Sequence, residues 1–347
     1  MVLRLMKIFS LAFVETAVER ARRGPARPTW GFGFEWVVRA LRRDFIDMLD
    51  WPYPKARADL DARFYPDKTV RRVKRTDDVL GGMPAVWFEP PGAMDRGVVL
   101  YLHGGSYLVG STKTHADLMA RLALSSGARV VGIDYRLAPE HRYPAQLEDA
   151  LAAFGALVER GHAPGEIALA GDSAGGNLAL VAQLELRDRG EQARCAALIS
   201  PWLDLTASSA STRENDPTDY GTREGLARQA RDFAGAIPLD DPRLSPLHAR
   251  LDGLGPLLVQ VGDAERLRDE GLELARRARE AGVDVTLDVL QDMPHNGPVL
   301  AEYHPEGARG AETLGSYLRA RLSAGAVAPH PRAPSTHPGE AATARRA

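Results

Sequence analysis

Glu166-Ile167-Ala168-Leu169-Ala170-Gly171-Asp172-Ser173-Ala174-Gly175-Gly176-Asn177 is an apolar run that stops at a serine bracketed by glycines. A helical pattern follows it as far as Leu186. The spacing Gly171-x-Ser173-x-Gly175 is that of a nucleophile elbow. A serine in such a turn sits between strand and helix with its hydroxyl pushed out of the fold. Side chains two residues before or after it would crowd the turn, so glycine occupies both places. The helix begins directly beneath the serine, and its N-terminal dipole favours negative charge developing there.

Outward from this turn, apolar runs alternate with helical ones. Residues 70–75 and 83–88 flank Gly81-Gly82 and predict a hairpin. Residues 97–102 and 129–135 are continuous apolar runs, as expected of strands buried on both faces. Helices are predicted over 117–126 and 145–160, and a further strand over 194–200. The alternation stops from 204 to 246, where Ser, Thr, Asp and Pro dominate around one helix over 223–234. It resumes with a strand over 256–261, a helix over 267–281, a strand over 283–290 and a helix over 307–322. Strands alternating with helices predict an α/β chain with a mostly parallel sheet covered on both faces. Residues 1–65 form a helical N-terminal part, 66–203 and 247–322 the two pieces of the core, and 204–246 an insertion. Residues 323–347 lack periodicity and are expected to be disordered.

Composition narrows the function. The 347 residues carry a net charge of −2, with 44% hydrophobic and 26% charged residues. That balance matches a globular protein with a sizeable core and gives no electrostatic case for nucleic acid. Cys195 is the only cysteine, so no intrachain disulfide is possible and a reducing, cytoplasmic setting is expected. Arg4, Lys7 and Glu15 interrupt the most apolar end, which argues against stable membrane insertion. Val2, Leu5, Met6, Phe9 and Phe13 recur at helical steps there. Such a stripe packs on its own protein, shields a site or touches lipid.

A serine hydroxyl needs a base to become a nucleophile, and the base needs an orienting acid. His295 follows the last predicted strand and is the base by position, with His304 the nearby rival. Asp263 and Glu265 both follow the preceding strand, and either can be the acid. Asp269 and Glu270 fall on the next helix as solvated charges or packing salt bridges. His103-Gly104-Gly105-Ser106 follows an early strand. The N–H groups of Gly104, Gly105 and Ser106, with that of Ala174 after the serine, are candidate donors for an oxyanion. Tyr107 and Trp202 border these loops and are candidate walls of a substrate pocket, with core packing the alternative.

His103-Gly104-Gly105-Ser106-Tyr107, Asp134-Tyr135-Arg136-Leu137-Ala138-Pro139-Glu140-His141 and Gly171-Asp172-Ser173-Ala174-Gly175-Gly176-Asn177 together resemble the bacterial hormone-sensitive-lipase family (family IV) of α/β-hydrolase esterases, over about residues 70–320. The resemblance implies an α/β-hydrolase fold and hydrolysis of short- to medium-chain acyl esters through a Ser-His-acid triad and an acyl-enzyme. It also implies no cofactor, and a helical cap made from residues 1–65 and 204–246. The family's acid lies two residues before the leucine of an Asp-Pro-Leu-x-Asp-Glu-Gly-like pattern. Laid onto residues 265–271 it falls on Glu265, with Asp263 in reserve. Arg136 and Glu140 are read as structural ion pairs. The chain departs from the family at Ser106 in place of a third glycine, at glutamate in place of aspartate, and at Met293-Pro294-His295-Asn296-Gly297 in place of His-x-Phe. The expected partner is a small-molecule ester, and a homodimer is allowed. The rivals are a small-molecule binding protein on the same fold, a hydrolase of amides, carbamates or acetylated small molecules, and a lipase working at a lipid surface.

Overall fold

The computed structural model describes residues 1–63, 65 and 67–324, with one eight-stranded sheet at its centre. The strands are β1 (Lys74–Leu80), β2 (Met83–Glu89), β3 (Val98–Leu102), β4 (Arg129–Ile133), β5 (Ile167–Asp172), β6 (Ala196–Ile199), β7 (Leu257–Gly262) and β8 (Val285–Leu290). Their order is β1-β2-β4-β3-β5-β6-β7-β8. β2 pairs antiparallel with β1 and β4, and every other pairing is parallel.

The central strands are mostly apolar because both faces are covered, with Asp172 at the end of β5 and Gln260 in β7 as buried polar exceptions. In β3, Val98, Leu100 and Leu102 enter one core while Val99 and Tyr101 enter the other. β5 divides likewise, Ile167 and Leu169 against Ala168 and Ala170. This two-residue alternation puts one set of side chains under each helical layer. The edge differs from the expectation. Residues 70–72 form a 3-10 turn and β1 starts only at Lys74. β1 has a single neighbour, so Lys-Arg-Thr-Asp-Asp can form an exposed edge strand without apolar residues.

Helices α1 (Val2–Arg23), α2 (Phe32–Met48) and α3 (Tyr53–Ala62) precede the sheet. Within it come α4 (Ala116–Ser126), α5 (Ala145–Glu159), α6 (Ala174–Asp188), α7 (Ser211–Glu214), α8 (Arg223–Ala234), α9 (Arg268–Glu280) and α10 (Pro305–Ser323). α1 packs in part through its expected stripe: Phe9 and Phe13 stand edge-on to Trp36 of α2, with centroids 5.8 and 5.6 Å apart. Ile8, Ala12 and Thr16 are buried beside them, whereas Val2 and Met6 are exposed. Ion pairs also hold the helix: Arg4 meets Asp44, Asp47 and Asp59, and Arg20 meets Glu35. No helix among the described residues is long and apolar enough to cross a membrane. The tail expected to be disordered lies, from residue 325, outside the described residues.

The N-terminal helices and the segment between β6 and β7 meet each other. The Tyr53 hydroxyl donates to Asp232 on α8, and Arg42 of α2 reaches the carbonyls of Asp216, Asp219 and Gly221. Two acids on α9 fix the same segment to the core. Asp269 accepts the N–H of Ser211 at 2.8 Å. Glu270 corrects its reading as a solvated charge or salt bridge: it is buried and accepts the N–H groups of Leu203 and Asp204 at 2.6 and 2.9 Å. Burial pushes its carboxyl well above the ordinary range.

Candidate active site

The sheet delivers its functional loops at the C-terminal ends of the parallel strands, where such folds place their ligands. β5 ends at Asp172, Ser173 follows, and α6 starts at Ala174. Ser173 has φ 53° and ψ −119°, a conformation that ordinary side chains rarely adopt. The turn is tight enough to require its glycines. A Cβ on Gly171 would come within 2.3 Å of the Gly175 carbonyl oxygen, and one on Gly175 within 2.0 Å of that of Leu102.

Ser173 and His295 face one cavity of about 220 Å³, shared with Gly105, Ser106 and Tyr220. His295 lies on the loop after β8 and Glu265 on the loop after β7. The His295 Nδ1–H donates to Glu265 Oε2 at 3.0 Å. Glu265 is fully buried, and its other oxygen accepts the Gly262 N–H at 3.1 Å. Burial works to lower the pKa of His295, but the Glu265 hydrogen bond and charge outweigh it and raise it above the ordinary value. Asp263, the reserve acid, instead accepts from Gln291 at 3.2 Å. His304 caps α10 and packs against Phe34, with ring centroids 4.5 Å apart and the rings tilted by 48°.

The glycine loop is one residue shorter in donors than expected. The Gly104 N–H is already given to Asp172 Oδ1 at 2.9 Å, so it is not free for an oxyanion. Gly105 and Ser106 line the cavity, and Ala174 is the first helical residue, whose N–H has no partner inside the helix. Ser106 takes φ 56°, where glycine is usual, and its hydroxyl donates to Gln229 of α8 at 2.9 Å.

Tyr107 and Trp202 are not pocket walls. Both are buried in the main core, at 2% and 0% exposure. Tyr107 stacks on Phe233, with centroids 4.0 Å apart, and its hydroxyl donates to Asn177 Oδ1 at 2.8 Å. Asn177 in turn donates to the Trp202 carbonyl at 2.6 Å. An aromatic residue beside the elbow therefore braces α6 from below. The apolar walls are Phe45 of α2, Leu60 of α3, Val109, Leu226 of α8 and Leu267. Arg136 pairs with Glu148 and Asp149, and Glu140 with Arg57.

Sequence reading missed a buried network centred on Asp172. Its Oδ1 accepts from the Tyr101 hydroxyl at 2.6 Å as well as from Gly104, and its Oδ2 from Asn296 Nδ2 at 2.7 Å. His115 Nε2 lies 3.3 Å from the same oxygen, and its Nδ1 lies 3.2 Å from the Ser111 carbonyl. Burial works to lower the His115 pKa, but the charge and hydrogen bond of Asp172 raise it above the ordinary value, and the Thr114 hydroxyl also lies 2.8 Å from Nδ1. Asp172 thus ties the glycine loop, the elbow and the His295 loop together. An acid inside the elbow motif and an amide after the base were the available signals. His115 had none.

Residues 99–298 match the family described as alpha/beta hydrolase fold. The chain is similar to an acetyl-hydrolase of Streptomyces hygroscopicus, 41% identical over 71% of this chain and 83% of that protein. It is also similar to a carboxylic ester hydrolase of Mycobacterium tuberculosis, 35% identical over 70% of this chain and 68% of that one. A solved esterase of the bacterial hormone-sensitive lipase family superposes with a TM-score of 0.73 at 35% identity, covering 92% of this chain and 98% of the esterase.

Proposed function

The chain belongs to the alpha/beta hydrolase family, in its bacterial hormone-sensitive-lipase branch, and is a carboxylic ester hydrolase; on that premise we propose that Ser173, His295 and Glu265 form its triad. The contact between His295 Nδ1 and Glu265 Oε2, on the cavity that Ser173 also faces, carries this reading. The Ser173 hydroxyl attacks the ester carbonyl while His295 Nε2 takes its proton. N–H groups of Gly105, Ser106 and Ala174 receive the oxyanion. The imidazolium, held by Glu265, protonates the departing alcohol and leaves an acyl-serine. Water, deprotonated by His295, then attacks the acyl-serine, and the imidazolium returns that proton to the departing Ser173 oxygen as the acid leaves.

The substrates are esters of short acyl chains. The cavity, at about 220 Å³, is smaller than the ~300–1,000 Å³ pockets that take drug-sized ligands. The similar protein named acetyl-hydrolase supports a small acyl group. Residues 1–65 and 204–246 act as the cap, a reading supported by Phe45, Leu60 and Leu226 in the cavity wall. The lone, buried Cys195 supports a cytoplasmic enzyme, which cell fractionation checks.

Hydrolysis of p-nitrophenyl esters from acetyl to palmitoyl tests this reading. Acetyl and butyryl esters should turn over fastest, and Ser173→Ala should lower kcat by at least about 10⁴-fold. A rate that rises with chain length and jumps above the substrate's micelle concentration would instead favour the lipase. No hydrolysis by folded protein on any ester would favour the binding protein.

A further inference from the structure

The loop that carries His295 is gripped from the insertion as well as from the core. The His295 N–H donates to Asp219 Oδ1 at 3.0 Å, and the Tyr220 hydroxyl donates to the His295 carbonyl at 2.6 Å. The Tyr220 ring stands edge-on to the imidazole, with centroids 5.7 Å apart. Asp219 is buried, and its second oxygen accepts the Arg266 N–H at 2.9 Å, on the residue after Glu265. One carboxylate therefore spans the base loop and the acid loop.

Residues 216–221 are themselves fixed by two arginines. Arg42 of α2 gives Nη1 to the carbonyls of Asp216, Asp219 and Gly221 at 2.6, 2.8 and 2.7 Å, and Nη2 to the Asp216 carboxylate at 2.9 Å. Arg266 gives Nη1 to the other Asp216 oxygen and Nη2 to the Tyr220 carbonyl, both at 2.7 Å. A guanidinium spread over several carbonyls fixes a backbone path more tightly than a single contact.

We propose that Asp219 and Tyr220 are positioning residues for the catalytic base, and that Arg42 makes the seating of the N-terminal helices a condition for an aligned triad. This rests on the reading of His295 as base and Glu265 as acid. The base must sit within a few tenths of an ångström of its working position, and a displacement of about 1 Å can cost on the order of 100-fold in rate. Asn296 anchors the β8 loop to Ser200 and Asp172, while the two bonds from the insertion hold the backbone of His295 itself. Asp219 also places a negative charge beside the imidazole. The charged and titratable groups facing His295 are Glu265 from the β7 loop, Asp172 from the elbow and Asp219 with Tyr220 from the insertion, with Arg266 paired to Asp219.

The test compares kcat and KM on p-nitrophenyl acetate from pH 5 to 9 for wild type, Tyr220→Phe, Asp219→Asn, Ser173→Ala and His295→Ala. Tyr220→Phe should lower kcat about 10-fold or more with little change in KM. Asp219→Asn should also lower kcat. Loss of its charge makes the imidazolium less stable, so the acid limb of kcat/KM should move to lower pH. A purely structural role would leave that limb in place. Wild-type kcat in Tyr220→Phe overturns the proposal, and this holds if Asp219→Asn does not fold. A change confined to KM with an unmoved limb overturns it too. Activity surviving in Ser173→Ala or His295→Ala would instead sink the triad reading. Inactive triad variants beside normal Asp219→Asn and Tyr220→Phe would sink only the positioning role.

Discussion

At the scale of single residues, the proposed base and acid, His295 and Glu265, should set the pH behaviour. Burial lowers the His295 pKa, and the carboxylate more than restores it, to above the ordinary value. A base works only when neutral, so kcat/KM should fall as pH drops through that raised pKa. Glu265→Gln removes the raising charge. Its acid limb should shift to lower pH, and its kcat should fall by about 10³–10⁴-fold. A pH–rate profile checks both, and an unshifted limb would separate Glu265 from the base. Ser106 makes a different prediction. In the proposed oxyanion hole only its N–H is used, and its φ is one that glycine accepts freely, so Ser106→Gly should keep kcat within the same order of magnitude while losing the contact with Gln229. Measured kcat for that variant decides whether the side chain matters. The serine and its glycines were legible in the sequence because steric need writes itself into local spacing. The commitment of the Gly104 N–H was not. Its partner, Asp172, lies 68 positions away, and no spacing rule connects them.

At the scale of elements, legibility follows burial. β3, β5, β6 and β7 are covered on both faces, so their sequences are apolar runs, broken only by Gln260 in β7 and ended by Asp172 in β5, that could be read directly. α8 was equally plain, with its side-chain cap from Thr222 to the Gly225 N–H. β1 was placed too early because an edge strand needs no apolar signature, and the buried side of α1 was legible only in part because arginine–carboxylate pairs fasten it beside Phe9 and Phe13. Tyr107 and Trp202 show the same limit: an aromatic residue next to a catalytic loop reads alike whether it points into the cavity or beneath the helix. The core strands make a stability prediction. Leu100 is fully buried in the middle of β3, so Leu100→Ala should cost about 2–5 kcal/mol, measured by denaturant unfolding. Arg75→Ala on exposed β1 should cost less than about 0.5 kcal/mol in the same experiment.

At the scale of the whole molecule, the sheet brings loops from five separate stretches to one cavity. Phe45 and Leu60 of the N-terminal helices add to its wall. Residues from α2, α3 and α8 share its wall with the elbow, so the walls that would limit substrate size lie outside the motifs of the core. That is why the reaction was readable from the sequence while the walls of the pocket were not: the motifs are local, and the walls come from surfaces meeting across more than a hundred residues. The most direct test of the serine mechanism is covalent. The protein is treated with phenylmethylsulfonyl fluoride, and intact mass, site of modification and residual hydrolysis of p-nitrophenyl acetate are followed together. One sulfonyl group per chain on Ser173, with activity falling in proportion to labelling, is the expected result. Full activity in protein labelled at Ser173, or inactivation with Ser173 unmodified, would contradict it.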